Sequence, residues 1–224
     1  MDPKRRSFLK GALATGATGL VLGNAGLAQA AVNLNRTQLP TLVLTNSAEA
    51  EAGFAAGVKA ALPRGAEISL LRTDRTSPLA AVNEALQSKR SMRLVGLVDD
   101  ATGELITAMA RRAGARMTWL GQHAADARQT RHQVINDKTA QGAALALAEQ
   151  LQQDPAGFSL KAEQPFTRAK ALELSANRAG AASGHWAAHL GHALVQPNAH
   201  VDAAYLPANS KRLQGRFVSF VIEV

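Results

Sequence analysis

Between Pro40 and about Gln122 the chain repeats one pattern: a short apolar run, a polar cap, then about a dozen residues with apolar positions at helical spacing. Thr41-Leu42-Val43-Leu44 ends at Asn46-Ser47, where Asn46 with Glu49 three residues on has the form of a capping box. The following stretch sets Phe54, Val58, Ala61 and Leu62 on one face and stops at Pro63. Ile68-Ser69-Leu70-Leu71 is the second run. Ser77-Pro78 then offers an N-cap and a first-turn proline to a helix carrying Leu79, Val82 and Leu86. Arg93-Leu94-Val95-Gly96-Leu97-Val98 is the third, capped by Asp99-Asp100, with a helix through Leu105, Ile106, Met109 and Ala113 that ends at Gly114. Met117-Thr118-Trp119-Leu120 is the fourth. Strands apolar on both pleat faces need cover on both sides. The pattern therefore predicts an α/β fold, a three-layer sandwich whose mostly parallel sheet is built from repeated βα units with right-handed crossovers.

Beyond Gln122 the pattern is fainter. His132 to Asn136 reads as a short strand, and Asp137 opens a helix through Ala144, Leu147, Ala148 and Leu151 that stops at Asp154-Pro155. A weak strand signal surrounds Leu172 and Leu174. Ser183 caps a helix reaching about Val195, and a long polar loop is expected from Pro197 to Arg212. From Arg216 onward Val218, Phe220, Ile222 and Val224 alternate with other residues, which predicts a half-buried strand, antiparallel and at the sheet edge.

The N-terminus carries Lys4-Arg5-Arg6-Ser7-Phe8-Leu9-Lys10, which resembles the twin-arginine (Tat) export signal of bacteria. Arg5, Arg6, Phe8, Leu9 and Lys10 match that pattern residue by residue, and Lys4 stands where the family prefers Ser or Thr. An uncharged stretch from Gly11 to Gly23 follows, and Ala28-Gln29-Ala30 has the spacing signal peptidase requires, with cleavage before Ala31. The expected organisation is a signal at residues 1–30 and one α/β domain at 31–224. The resemblance implies partnership with the Tat translocase and signal peptidase, and delivery of an already folded protein to the periplasm. A retained anchor is the alternative, since no charge falls between Lys10 and Arg36, although the many glycines and threonines make a poor span.

Removing the four basic residues and one acid of the signal lowers the formal charge from +8 to +5. No run of Lys and Arg interleaved with aromatics occurs, so nucleic-acid binding is set aside. The chain has no cysteine, which excludes disulfides, Cys-ligated iron–sulfur clusters, c-type haem attachment and thiol nucleophiles. Any cofactor is therefore unidentified and bound without thiolates.

Two constellations could carry chemistry. In Gly184-His185-Trp186-Ala187-Ala188-His189-Leu190-Gly191-His192 the three imidazoles fall within roughly 60° of one another on a helix. His185, His189 and His192 could offer nitrogen ligands to zinc, copper or nickel. They spread over about 10 Å of helix axis, so two of them on one ion suits the geometry better than three. The His185–His189 spacing matches H-E-x-x-H, but Trp186 stands where that motif needs Glu, so metalloprotease chemistry has no support. His200 and Asp202 lie near in sequence.

The second constellation follows from topology, because open parallel sheets bind ligands beyond the carboxyl ends of their strands. Those ends carry Asn46, Ser47, Asp74, Arg75, Asp99, Asp100 and His123. Asp99-Asp100 suits a hard cation such as Mg²⁺ or an acid–base pair. Ser47 lacks the glycines of a nucleophile elbow, and the same residue types cap helices regardless of function. No phosphate-loop or dinucleotide glycine motif occurs. The reading that demands least is an exported non-catalytic protein that binds a small molecule or accompanies a periplasmic partner. A His-ligated metal enzyme or metal carrier is the alternative, and a structural subunit of a larger periplasmic or membrane-bound enzyme the second.

Overall fold

The computed structural model describes residues 39–73, 78–88, 90–137, 140–165, 170–180, 184–196 and 213–224. The export signal, Asp74, Arg75, Ser77, Ser183, His200, Asp202 and the expected loop from Pro197 lie outside these.

Strand β1 (Thr41–Thr45) leads into helix α1, which is α-helical at Ala48–Ala50, π-helical at Glu51–Ala55 and α-helical again at Ala56–Ala61. Its cap is Ser47, one residue later than the capping box predicts: the Ala50 N–H donates to Ser47 Oγ at 3.1 Å. Next come β2 (Ile68–Arg72), α2 (Pro78–Gln87), β3 (Arg93–Asp99) and α3 (Asp100–Arg112). Helix α3 ends where Gly114 takes φ +69, a left-handed conformation that glycine adopts without a side-chain clash. The second half supplies β4 (Arg116–Ala125), β5 (Gln129–Asn136), α4 (Gln141–Gln153), β6 (Ala156–Glu163), β7 (Leu172–Ala179), α5 (His185–Val195) and β8 (Gly215–Glu223).

Among the described residues the eight strands form one sheet in the order β2-β1-β3-β8-β4-β5-β6-β7. The expected mostly parallel sheet of repeated βα units is overturned. Only β1–β2, β1–β3 and β5–β6 pair in parallel, whereas β3–β8, β8–β4, β4–β5 and β6–β7 pair antiparallel. The repeat ends at α3 for two physical reasons. Residues 126–128 are too short a link for anything but a hairpin, so β5 returns antiparallel to β4. That hairpin is fixed by Asp126, whose carboxylate accepts the backbone N–H groups of Arg128 and Gln129, both at 2.8 Å. Then β8 inserts between β3 and β4, so the expected edge strand is central and buried from Phe217 to Ile222.

The helices divide between the two faces. Helices α1, α4 and α5 cover one, over a core containing Phe54, Val95, Leu147, Leu160, Trp119 and Trp186. Among the described residues helices α2 and α3 cover the other above β1, β3, β8 and the start of β4, where Leu44, Val82, Leu94, Ile106, Phe220 and Ile222 pack with Met117 and Leu120 at the margin. Small residues bring α1 and α5 into backbone contact: a Cβ on Gly57 would lie 1.9 Å from the Ala188 carbonyl oxygen, and one on Gly191 2.3 Å from that of Phe54. In β4 the register slips by one residue between Met117 and Trp119. This bulge reverses the alternation, so Met117 packs with the α2/α3 core and Trp119 with the α1/α4/α5 core.

Candidate functional site

Past the start of β4, which meets α3 through Met117 and Leu120, the β5–β7 part of the sheet has no helix on the α2/α3 side among the described residues, and this difference between its two faces defines the candidate site. Strand β5 shows it plainly: Gln129, Arg131, Gln133 and Ile135 are exposed while Thr130, His132, Val134 and Asn136 are buried.

On the covered side the sequence places polar groups in the core. Trp119 Nε1–H donates to Ser219 Oγ at 2.8 Å, Ser219 Oγ lies 2.7 Å from His123 Nε2, and His123 Nδ1 lies 2.8 Å from His132 Nδ1. Counting donors assigns the protons. If Ser219 donates to His123 Nε2, then His123 Nδ1–H donates to His132 Nδ1, and only His132 Nε2–H lacks a partner. The opposite tautomers leave both the Ser219 hydroxyl proton and a ring lone pair unmatched, so the first arrangement is favoured. Both imidazoles pack against Trp186 of α5, with ring centroids 5.5 and 5.3 Å away. Burial pushes His132 down to about 3, and burial followed by the neighbouring His132 pushes His123 well below its ordinary range.

Serine, imidazole and a second imidazole in line have the order of a nucleophile, its base and an orienting group. Ser219 is fully buried, however, and its hydroxyl is spent on Trp119 and His123, so no substrate can reach it. The cluster is a buried polar chain, complete but for His132 Nε2, that ties β8 to β4 and β4 to β5.

The sequence-predicted strand-end residues meet in part. Asn46 Nδ2 donates to Asp99 Oδ2 at 2.7 Å, and Asp99 caps α3 by accepting the Thr102 N–H and hydroxyl, both at 2.9 Å. Burial pulls the Asp99 carboxyl up, but the hydrogen bonds from Thr102, Asn46 and Ala101 outweigh it and hold the group below its usual range. Asn46, Ser47 and Asp99 are thus occupied in holding helix starts. His123 is not at a strand end: β4 continues to Ala125 and carries its ring into the core.

On α5, His189 and His192 are buried and His185 is half-buried. The His185 and His189 rings stand edge to face with centroids 6.5 Å apart. Burial, then His185, pushes His189 down to about 4, with Asp154 pulling the other way and His192 adding slightly, and burial lowers His192. The Nδ1 atoms of His189 and His192 have no hydrogen-bond partner among the described residues. Among the described residues no three His, Cys, Asp or Glu side chains are grouped to hold a metal ion.

The uncovered side bears the residues that sequence reasoning missed. Their register sets two rows across the strands. One runs Arg216, Ala124, Arg131, Ser159, Ser175, and the next Val218, Gln122, Gln133, Lys161, Glu173. Together with Asp100 at the start of α3, these residues other than Val218, which packs in the α2/α3 core, line an open depression of about 840 Å³. Lys161 is neutralised within the sheet, 2.7 Å from Glu163 and 3.7 Å from Glu173. Arg131 and Arg216 make no ion pair or side-chain hydrogen bond within the described residues. The polar alternation of 129, 131, 133 and of 159, 161, 163 was visible in the sequence, but inward-facing His132 and Asn136 disguised it.

The chain therefore combines an export signal with a mixed sheet whose β5–β7 strands carry no helix on one side among the described residues. The family model for the TAT (twin-arginine translocation) pathway signal sequence matches residues 2–21. That signal directs export across the cytoplasmic membrane by the Tat translocase, with signal peptidase as the second partner. No curated protein and no solved structure matches the chain. Among the described residues no helix is long and apolar enough to cross a membrane.

Proposed function

We propose that the chain is an exported, non-catalytic binding protein, cleaved before Ala31 to a mature domain of residues 31–224, which receives a small polar molecule in the periplasm on the open face of β4–β7. The observation that carries this reading is the depression of about 840 Å³ floored by Gln122, Arg131, Gln133, Ser159 and Ser175. Its volume lies within the range of small-molecule sites, and its hydrogen-bonding side chains point away from the core where a solute can reach them. The alternatives are used structurally: Ser219 and the paired histidines are sealed inside, and Asn46 and Asp99 hold one another and a helix start.

Amide-resolved NMR tests it. Isotopically labelled residues 31–224 are titrated with free amino acids, sugars, nucleosides and organic acids. At least one class is expected to move the amides of Gln122, Gln133, Lys161 and Ser175. A panel that moves nothing, or moves only amides near Asn46 and Asp99, overturns the proposal.

A further inference from the structure

Resting on the reading of the open face as a binding surface, we infer that the notch above Ala124 takes a small organic dianion, its oxygens held between the guanidinium groups of Arg131 and Arg216. Strands β8, β4 and β5 are neighbours, and Arg216, Ala124 and Arg131 lie directly across from one another on the same face. Adjacent strands stand about 4.8 Å apart, so the two arginine Cα atoms are separated by roughly 10 Å with only a methyl group between them. Side chains as long as arginine close that gap above Ala124, and two planar forks facing one space match two anionic oxygens.

Among the described residues no carboxylate around the notch makes an ion pair with either arginine, although the Asp126 charge acts on Arg131. Lys161 already carries Glu163 and Glu173. Asp126 lies near enough to Arg131 to be influenced by it, but its carboxylate accepts the Arg128 and Gln129 backbone N–H groups. Asp100, on the rim, makes no ion pair with Arg216 within the described residues and sets an acidic limit on that side. Ser159, across from Arg131, adds a hydroxyl donor in the same row. Two exposed cations, a hydroxyl and a small residue between them are what a phosphate monoester or a dicarboxylate requires. The depression is far larger than either group alone, which leaves room for the organic part.

The test is a titration of the mature chain with glycerol 3-phosphate, succinate and glycerol, followed by amide NMR. Either dianion is expected to shift the amides of Ala124 and Arg131 with saturation, and glycerol far less. A response to the phosphate alone, or to succinate alone, supports the inference and says which source the site accepts. Arg131→Gln and Arg216→Gln should each weaken that binding at least about tenfold, the loss of one charge-assisted pair. Ala124→Glu should abolish it with the melting temperature unchanged. Equal binding by the double arginine variant, or glycerol shifting the face as strongly as the dianions, overturns the inference and leaves the open-face reading intact. Failure of every probe, including the wider panel, to move any amide of β4–β7 removes both.

Discussion

Acidification should begin to destabilise this protein near pH 6.5, before its carboxylates titrate. The fold holds His132 down to about 3 by burial, and His189 to about 4 by burial first and by His185 second, against the pull of Asp154. In the unfolded chain both titrate near 6.5. The folded state therefore binds fewer protons, and the histidine contribution is complete above about pH 6.5. It is lost progressively as the pH falls below that value, until the folded values are reached. Each such group costs about 1.4 kcal/mol per pH unit inside the window. From pH 6.5 to 4.5 the pair removes roughly 5 kcal/mol, and the coupled His123 can only add to this. A domain with about 5–15 kcal/mol of stability then approaches its unfolding midpoint. The acidic group Asp99, held below its usual range, contributes stability above the unfolded carboxyl value, and that contribution is lost only at lower pH than the histidine window. Urea melts at pH 7.5, 6.0, 5.0 and 4.5, followed by tryptophan fluorescence, measure the effect directly. Trp119 and Trp186 are the chain's only tryptophans, and both border the histidine cluster. The midpoint should fall steadily below pH 6.5, and His132→Asn should flatten the slope by about one proton. A midpoint constant from pH 7.5 to 4.5 refutes the reasoning.

Three further outcomes follow from the packing and the signal. Gly57→Ala drives a methyl carbon to 1.9 Å from the Ala188 carbonyl oxygen. Because backbone rather than a flexible side chain must yield, a loss of about 3 kcal/mol is expected, or roughly 6–12 °C in thermal melts; an unchanged melt contradicts the α1–α5 contact. Asp99→Ala removes the cap of α3 and the partner of Asn46, and should cost about 1–2 kcal/mol in urea melts; no change means the cap carries no weight. Changing Arg5 and Arg6 together to Lys should trap the chain in the cytoplasm, seen by fractionation as unprocessed precursor. Undiminished processing contradicts a Tat route.

The local elements were legible because each rests on short-range signals. Phe54 and Val58 mark the buried face of α1, Pro63 follows its end, and Gly114 terminates α3. Strand order was not legible, because nothing local says which neighbour a strand will find. Strand β8 shows why: Ser219 looks like a solvent-facing position in an alternating strand, yet it is fully buried because Trp119 and His123 satisfy its hydroxyl. That one residue made a central strand read as an edge. Strand β6 was missed altogether, and β5 was read only from His132 to Asn136, because its start, Gln129-Thr130-Arg131, carries no apolar residue. The His123–His132 pairing was recoverable from sequence alone, since a hairpin turning at Asp126 sets the two directly opposite. The open face could not be foreseen, because it depends on where α2 and α3 stop.

The absence of cysteine allows a direct test of that face. A single Cys at Ser159, labelled with an environment-sensitive dye, reports from the depression, and one at exposed Lys59 on α1 reports from elsewhere. Both labelled proteins are titrated with the low-molecular-weight fraction of a periplasmic extract. A saturable change at position 159 with none at position 59 is the predicted result. A response equal at both positions, or absent from position 159, contradicts binding on the open face.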